Sequence, residues 1–166
     1  LGGCLCPQAL MASLHPRHTY EKSLSFYNLH TGESLRSVYW SQGRYDLAAL
    51  ADINRILRDF RTGDVKPIDT GLLDLLHSLH RLVGYRDNLH VVSGYRSPET
   101  NAFLRETDRG IAGKSLHIEG KALDFCVPGC SLRKLHKAAI RLQGGGVGYY
   151  PTLGFVHVDI GRVRYW

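Results

Sequence analysis

Ser115-Leu116-His117-Ile118-Glu119-Gly120-Lys121-Ala122-Leu123-Asp124, together with the later Phe155-Val156-His157-Val158-Asp159, decides how this chain is read. In the first stretch a two-residue turn at Gly120-Lys121 pairs Glu119 with Ala122, Ile118 with Leu123 and His117 with Asp124. Glycine at the first turn position suits a type II′ hairpin. His117 and Asp124 then stand opposite one another on one face, with Cβ atoms ~5 Å apart. Leu116, Ile118, Leu123 and Phe125 take the other face, as a core-facing set should. The second stretch alternates in the same way, with Phe155, His157 and Asp159 on one face and Val156, Val158 and Ile160 on the other. Two histidines and a carboxylate, His117, Asp124 and His157, suit a catalytic zinc, which holds three protein groups and keeps one position open. The competing reading of the same residues is a solvated sheet face.

Outward from these strands, Ser23 to Leu29 and Ser34 to Trp40 form a predicted β-hairpin around His30-Thr31-Gly32-Glu33. From Asp46 to Arg61 the period becomes helical, with Leu47, Leu50, Ile53, Ile56, Leu57 and Phe60 on one face. Asp69 or Thr70 caps a second helix, whose apolar face is Leu72, Leu75, Leu76, Leu79 and Leu82. His77 and His80 sit on it three apart, without a third partner, and read as partly exposed helix residues. Leu89 to Val92 is a short strand, Ser97-Pro98 opens a helix to about Thr107, and Asp108 to Lys114 is a loop. Ser131 caps a last helix that Gly144-Gly145-Gly146 breaks before the final short strands. The predicted class is α+β: a small antiparallel sheet carrying the zinc site, packed against helices.

The chain of 166 residues suits one domain with a real core, and its 43% apolar and 22% charged residues are those of an ordinary globule. No apolar run is long enough to span a bilayer. The net charge of +6 favours polyanionic surroundings such as an acidic cell wall. Lys and Arg are scattered rather than striped, which speaks against nucleic acid.

Residues 1–20 read as the remnant of an export signal and linker, and 21–166 as the folded domain, which predicts an exported, periplasmic protein. Leu1-Gly2-Gly3-Cys4 also resembles a lipoprotein processing site, with a lipid anchor at Cys4 as the second reading. Cys126 and Cys130 either close a small disulfide loop or stay as two thiols.

Ser-x-His-x-x-Gly-x-Ala-x-Asp followed by a late strand histidine resembles the zinc peptidases of the D-Ala-D-Ala-metallopeptidase/Hedgehog superfamily. Ser93-Gly94-Tyr95-Arg96-Ser97 resembles that superfamily's arginine motif. Asn28 to Ser34, Arg58-Asp59-Phe60-Arg61, Gly144 to Pro151 and Phe155 to Asp159 narrow the resemblance to the YcbK-like, MepK-type murein endopeptidases, over about residues 22–166. The resemblance implies His117, Asp124 and His157 as Zn2+ ligands. It implies Arg96 as the group that binds the substrate carbonyl or steadies its oxyanion, and Ser115 as a substrate contact or ligand support. The implied partner is the peptide stem of peptidoglycan, and the implied reaction is hydrolysis of a cross-link, such as one joining two diaminopimelate residues. Rivals are a D,D-carboxypeptidase or D-Ala-D-Ala dipeptidase of the same superfamily, and a non-catalytic, zinc-stabilised wall-binding module. Many relatives carry an acid three residues before the last ligand, where this chain has Gly154. Asp159 is the replacement candidate as general base. Its other role is to orient a ligand histidine by accepting its ring N–H.

Overall fold

A computed structural model describes residues 20–84, 87–107 and 113–166. The export-signal and Cys4 readings, and most of the 108–114 loop, lie outside these. The strands are β1 (Lys22–Asn28), β2 (Ser34–Ser41), β3 (Arg44–Tyr45), β4 (Leu89–Ser93), β5 (Ala122–Cys126), β6 (Gly146–Tyr150), β7 (Phe155–Asp159) and β8 (Arg164–Tyr165). The helices are α1 (Leu47–Ile56), α2 (Thr70–Val83), α3 (Pro98–Thr107) and α4 (Leu132–Leu142).

All the strands join one eight-stranded sheet in the order β3-β2-β1-β4-β5-β7-β6-β8. This corrects the small antiparallel sheet expected from sequence. β1 runs parallel to β4, and β6 parallel to β8. The expected early hairpin forms, and β1 uses its second edge to pair with β4 and so extends the site-bearing sheet.

Strand alternation divides the sheet into two faces. Leu24 and Phe26 of β1, Leu89 and Val91 of β4, Leu123 and Phe125 of β5, and Val156 and Val158 of β7 are buried together. They share one core with Ile53 and Ile56 of α1, Leu72, Leu73, Leu76 and Leu79 of α2, and Leu135 and Ala139 of α4. The intervening residues, Asp124 and His157 among them, point to the opposite face.

The caps expected at Asp69 and Ser131 form, and Asp46 adds a third. The Asp46 side chain accepts from the amides of Ala48 and Ala49, Asp69 from Gly71, and Ser131 from Lys134. α1 stops earlier than the periodicity predicts, and Leu47, assigned to its buried face, is 79% exposed. Its continuation is diverted because the Leu57 carbonyl accepts from the Tyr95 amide at 2.7 Å and the Arg61 amide donates to Asp59 Oδ1 at 2.9 Å. His77 is buried rather than exposed, with Nδ1 bonded to the Ser23 carbonyl and Nε2 to the Tyr20 hydroxyl. Cys126 and Cys130 are free thiols, and no helix among the described residues is long and apolar enough to cross a membrane.

Candidate metal centre and cleft

Asp124 and His157 are direct cross-strand partners in the β5–β7 pairing, on the face away from the core helices α1, α2 and α4. His117 does not reach them as the other arm of a hairpin. Residues 115–121 wind through successive tight turns, with the amides of Ile118, Glu119 and Gly120 donating to the carbonyls of Ser115, Leu116 and His117. The reason lies outside the stretch: β4 and β7 already occupy both edges of β5, so a returning strand has nothing to pair with.

The turn carries His117 to the same place by another route. Its Nδ1 donates to the Gly94 carbonyl at 2.7 Å, and its carbonyl accepts from the Arg96 amide at 3.2 Å. The Ser115 hydroxyl oxygen accepts from the His117 amide at 3.3 Å and so supports the turn.

Hydrogen bonding sets which nitrogen of each ring is left free. With His117 Nδ1 committed to Gly94, its Nε2 lone pair faces Asp124 Oδ2 at 3.2 Å. His157 Nε2 donates to Asp159 Oδ2 at 3.1 Å, which leaves Nδ1 facing Asp124 Oδ1 at 2.7 Å and His117 Nε2 at 3.3 Å. Ligand atoms of His117, Asp124 and His157 lie within 4.8 Å of one another. Two imidazole lone pairs and a carboxylate therefore converge on one point, an arrangement that asks for a cation. Burial opposes a charge on His157, yet its hydrogen bonds to Asp124 and Asp159 raise its pKa to about 9, so that without a metal a proton on Nδ1 takes the cation's place and a bound metal would displace it. Burial likewise raises the Asp124 carboxyl, but the two histidines outweigh it and hold the group well below the usual carboxylate range. The donor set, two nitrogens and one oxygen, fits zinc.

Asp159 is fully buried and accepts five hydrogen bonds. Oδ1 takes the amides of Gly146 and Gly161 and Arg164 Nη1, while Oδ2 takes His157 Nε2 and Arg164 Nη2. Arg164 thus grips it with both guanidinium nitrogens. Sequence periodicity placed Asp159 beside His157, but nothing in it pointed to Arg164.

The site opens into a cleft of about 580 Å³ lined by Arg96, Lys114, Ser115, Tyr150, Phe155 and Trp166, among others. Tyr150 and Phe155 stack at 4.7 Å, and Trp166 Nε1 donates to the Tyr150 hydroxyl at 2.7 Å. Gly148, opposite His157 on β6, makes room for this wall: a Cβ there would lie 2.7–2.8 Å from the Trp166 and Tyr150 rings.

The sequence model described as Peptidoglycan L,D-endopeptidase MepK matches residues 17–166. The peptidoglycan L,D-endopeptidase MepK of Escherichia coli strain K12 is 42% identical over 167 residues, covering 100% of this chain and 90% of that protein. A probable peptidoglycan L,D-endopeptidase MepK of Haemophilus influenzae is 38% identical over 167 residues, covering 100% of this chain and 89% of its own length. The chain belongs to the MepK family. No solved structure matches it.

In this MepK-family site Arg96 is buried. Its guanidinium lies 3.8 Å from Asp124 Oδ2 and 3.4 Å from both Asn101 Oδ1 and Ser93 Oγ. Burial pushes its pKa down and Asp124 pulls it back. The loop that carries it is anchored by Asp59, whose Oδ2 accepts from the Ser97 amide at 2.8 Å. Nothing in the spacing of Arg58-Asp59-Phe60-Arg61 marks Asp59 as this anchor. Burial raises its pKa, but hydrogen bonds from Thr100, Ser97 and Arg61 win and leave it below the ordinary carboxylate value.

Asp59→Ala is therefore expected to cost about 1–3 kcal/mol by stranding the Ser97 amide. Because the folded pKa is depressed, the contribution is complete above the unfolded carboxylate value of about 3.9 and is lost as pH falls through the folded one. The gap in denaturation midpoint between wild type and Asp59→Ala should thus narrow below about pH 4. A gap that holds constant there contradicts this assignment.

Gly154 stands at φ +80° in the turn before β7, a backbone region that disfavours an acidic side chain at that position. The carboxylates lining the cleft, among the described residues, are Asp124 and Asp159.

Proposed function

We propose that this protein is a zinc-dependent murein endopeptidase, exported to the periplasm, that hydrolyses peptide cross-links of peptidoglycan. The observation that carries this is the convergence of His117 Nε2, His157 Nδ1 and the Asp124 carboxylate at the floor of an open cleft beside Arg96, in a chain of the MepK family. His117, Asp124 and His157 would hold the metal. Zinc held there would supply Lewis acidity towards the amide carbonyl and would lower the pKa of water towards neutrality.

The chain's own groups supply the rest. Arg96, held beside Asp124, offers its guanidinium to the oxygen that gains charge, a contribution commonly worth ~3 kcal/mol. Ser115 secures the His117 turn at the cleft wall. Asp159 orients His157: it accepts the Nε2 proton and so presents the Nδ1 lone pair to the metal position. All its lone pairs are engaged on the side of His157 remote from Asp124, which favours this role over that of proton acceptor. The positive net charge suits an anionic wall.

The relatives are named as L,D-endopeptidases, which points to an amide between an L-configured acyl centre and a D-configured amine centre. Zinc-loaded protein incubated with purified muropeptide dimers should split L,D-linked dimers into monomers, leave D,D-linked dimers intact and release no terminal D-Ala. Release of D-Ala alone would favour a carboxypeptidase. Binding without cleavage of any dimer would favour the wall-binding module.

A further inference from the structure

Lys114 has no place in the reading above, yet it lines the same cleft as the metal position. The cleft holds three lysine or arginine side chains among the described residues: Arg96, Lys114 and Arg164. Two are already committed to carboxylates. Arg96 lies 3.8 Å from Asp124, and Arg164 lies 2.7 Å from the buried Asp159. Lys114 is exposed and forms no ion pair among the described residues. It belongs to the segment leading into the His117 turn, three residues before that ligand, and lines the cleft together with it.

Tyr150, Phe155 and Trp166 line the same cleft. They are held by the Trp166–Tyr150 hydrogen bond and by the Tyr150–Phe155 stack. Trp166 also packs beside His157, with ring centroids 5.3 Å apart. The cleft therefore combines an aromatic surface, which suits an aliphatic chain, with one ammonium that has no ion-pair partner among the described residues, which suits an anion.

We infer that Lys114 is a specificity-determining residue that binds the free carboxylate borne by the amine-side residue of the scissile amide, while the Tyr150–Phe155–Trp166 wall takes that residue's aliphatic chain. The chemistry of an L,D bond makes the match. The nitrogen released by cleavage sits on a D centre, and that carbon of an amino acid also bears a carboxyl group. Where that carboxyl is free, a negative charge lies two bonds from the scissile nitrogen. It needs a cation near the metal position that is not already neutralised, and Lys114 meets that description among the cleft residues. The inference rests on the endopeptidase reading for the identity of the bond but not for the recognition itself.

The test compares two soluble cross-linked dimers that differ only in this group, one with the free carboxylate and one with the carboxamide. Wild-type zinc-loaded protein should prefer the carboxylate by about tenfold in kcat/KM, mostly through KM, as expected for a hydrogen bond between charged groups. The preference should shrink as salt is raised. In Lys114→Ala the ratio of the two substrates should collapse towards one, and in Lys114→Glu it should invert. A wild type indifferent to the carboxylate, or a Lys114→Ala that keeps the full preference, overturns the inference. If neither dimer is turned over, the same comparison is made as Kd by calorimetry with the same two compounds. Failure of the endopeptidase reading is then scored separately, and equal Kd values for the two compounds in wild type overturn the inference in that case too.

Discussion

His157→Ala should lose both metal and hydrolysis. The side chain contributes Nδ1 to the converging donors, and its removal leaves His117 and Asp124 alone around the cation position. Loss of a group that merely supports a ligand typically costs ~10–100-fold in metal affinity, so deletion of a ligand should exceed that. Turnover of cross-linked dimers should fall by more than the ~10²–10³-fold that removal of one oxyanion donor costs. His117→Ala is expected to behave alike, because His117 Nε2 is the second nitrogen of the set. Metal content after equilibrium dialysis and initial rates on a dimer substrate check both variants. The variants should keep their folded far-ultraviolet circular dichroism, since the apolar core lies on the other face of the sheet. A variant that retains stoichiometric zinc would remove that histidine from the ligand set.

Asp159→Ala carries the second large effect, and it falls on stability as well as on the metal. The carboxylate is fully buried, and its loss unpairs Arg164 and strands the amides of Gly146 and Gly161. Arg164 is one-third exposed and can rehydrate, so the cost comes mainly from the stranded amides, about 1–3 kcal/mol each. Together that is a large share of a typical folding free energy of about 5–15 kcal/mol. Asp159→Asn is the gentler probe: it keeps the shape but no longer offers a carboxylate to His157. If Asp159 orients His157, the Asn variant should weaken zinc binding by ~10–100-fold, with activity restored in part by excess zinc. If Asp159 is the proton acceptor, the Asn variant should bind zinc at wild-type strength and stay inactive at any zinc concentration.

What the sequence disclosed, and what it hid, divides along the range of the interactions. The alternation of Phe155 to Ile160 is local, and it correctly put His157 and Asp159 on one face and Val156 and Val158 on the other. The caps at Asp69 and Ser131 are also local and were legible, whereas Asp46 was read only as the start of the helical period. The hairpin that was to join His117 to Asp124 failed because β4 and β7 hold both edges of β5, and no pattern within residues 115–124 carries that information. Asp124 faces His157 instead, and His117 is aimed by a carbonyl at Gly94 that only the fold brings near. The parallel junctions β1–β4 and β6–β8 were missed for the same reason. Asp59 and Arg164 were missed as site supports because their partners, Ser97 and Asp159, are set by packing rather than by spacing. The Cys126–Cys130 spacing left disulfide and thiols equally open, and the fold keeps two thiols.

The central claim is a metal held by His117 Nε2, His157 Nδ1 and Asp124. The most direct test is a crystal structure of the zinc-loaded protein with anomalous data collected at the zinc edge. One peak per chain is expected, within ~2.0–2.2 Å of those three ligands, with His157 Nε2 still bonded to Asp159. A peak ligated through His157 Nε2 or by Asp159, or no peak at this position in zinc-loaded crystals, would contradict the account.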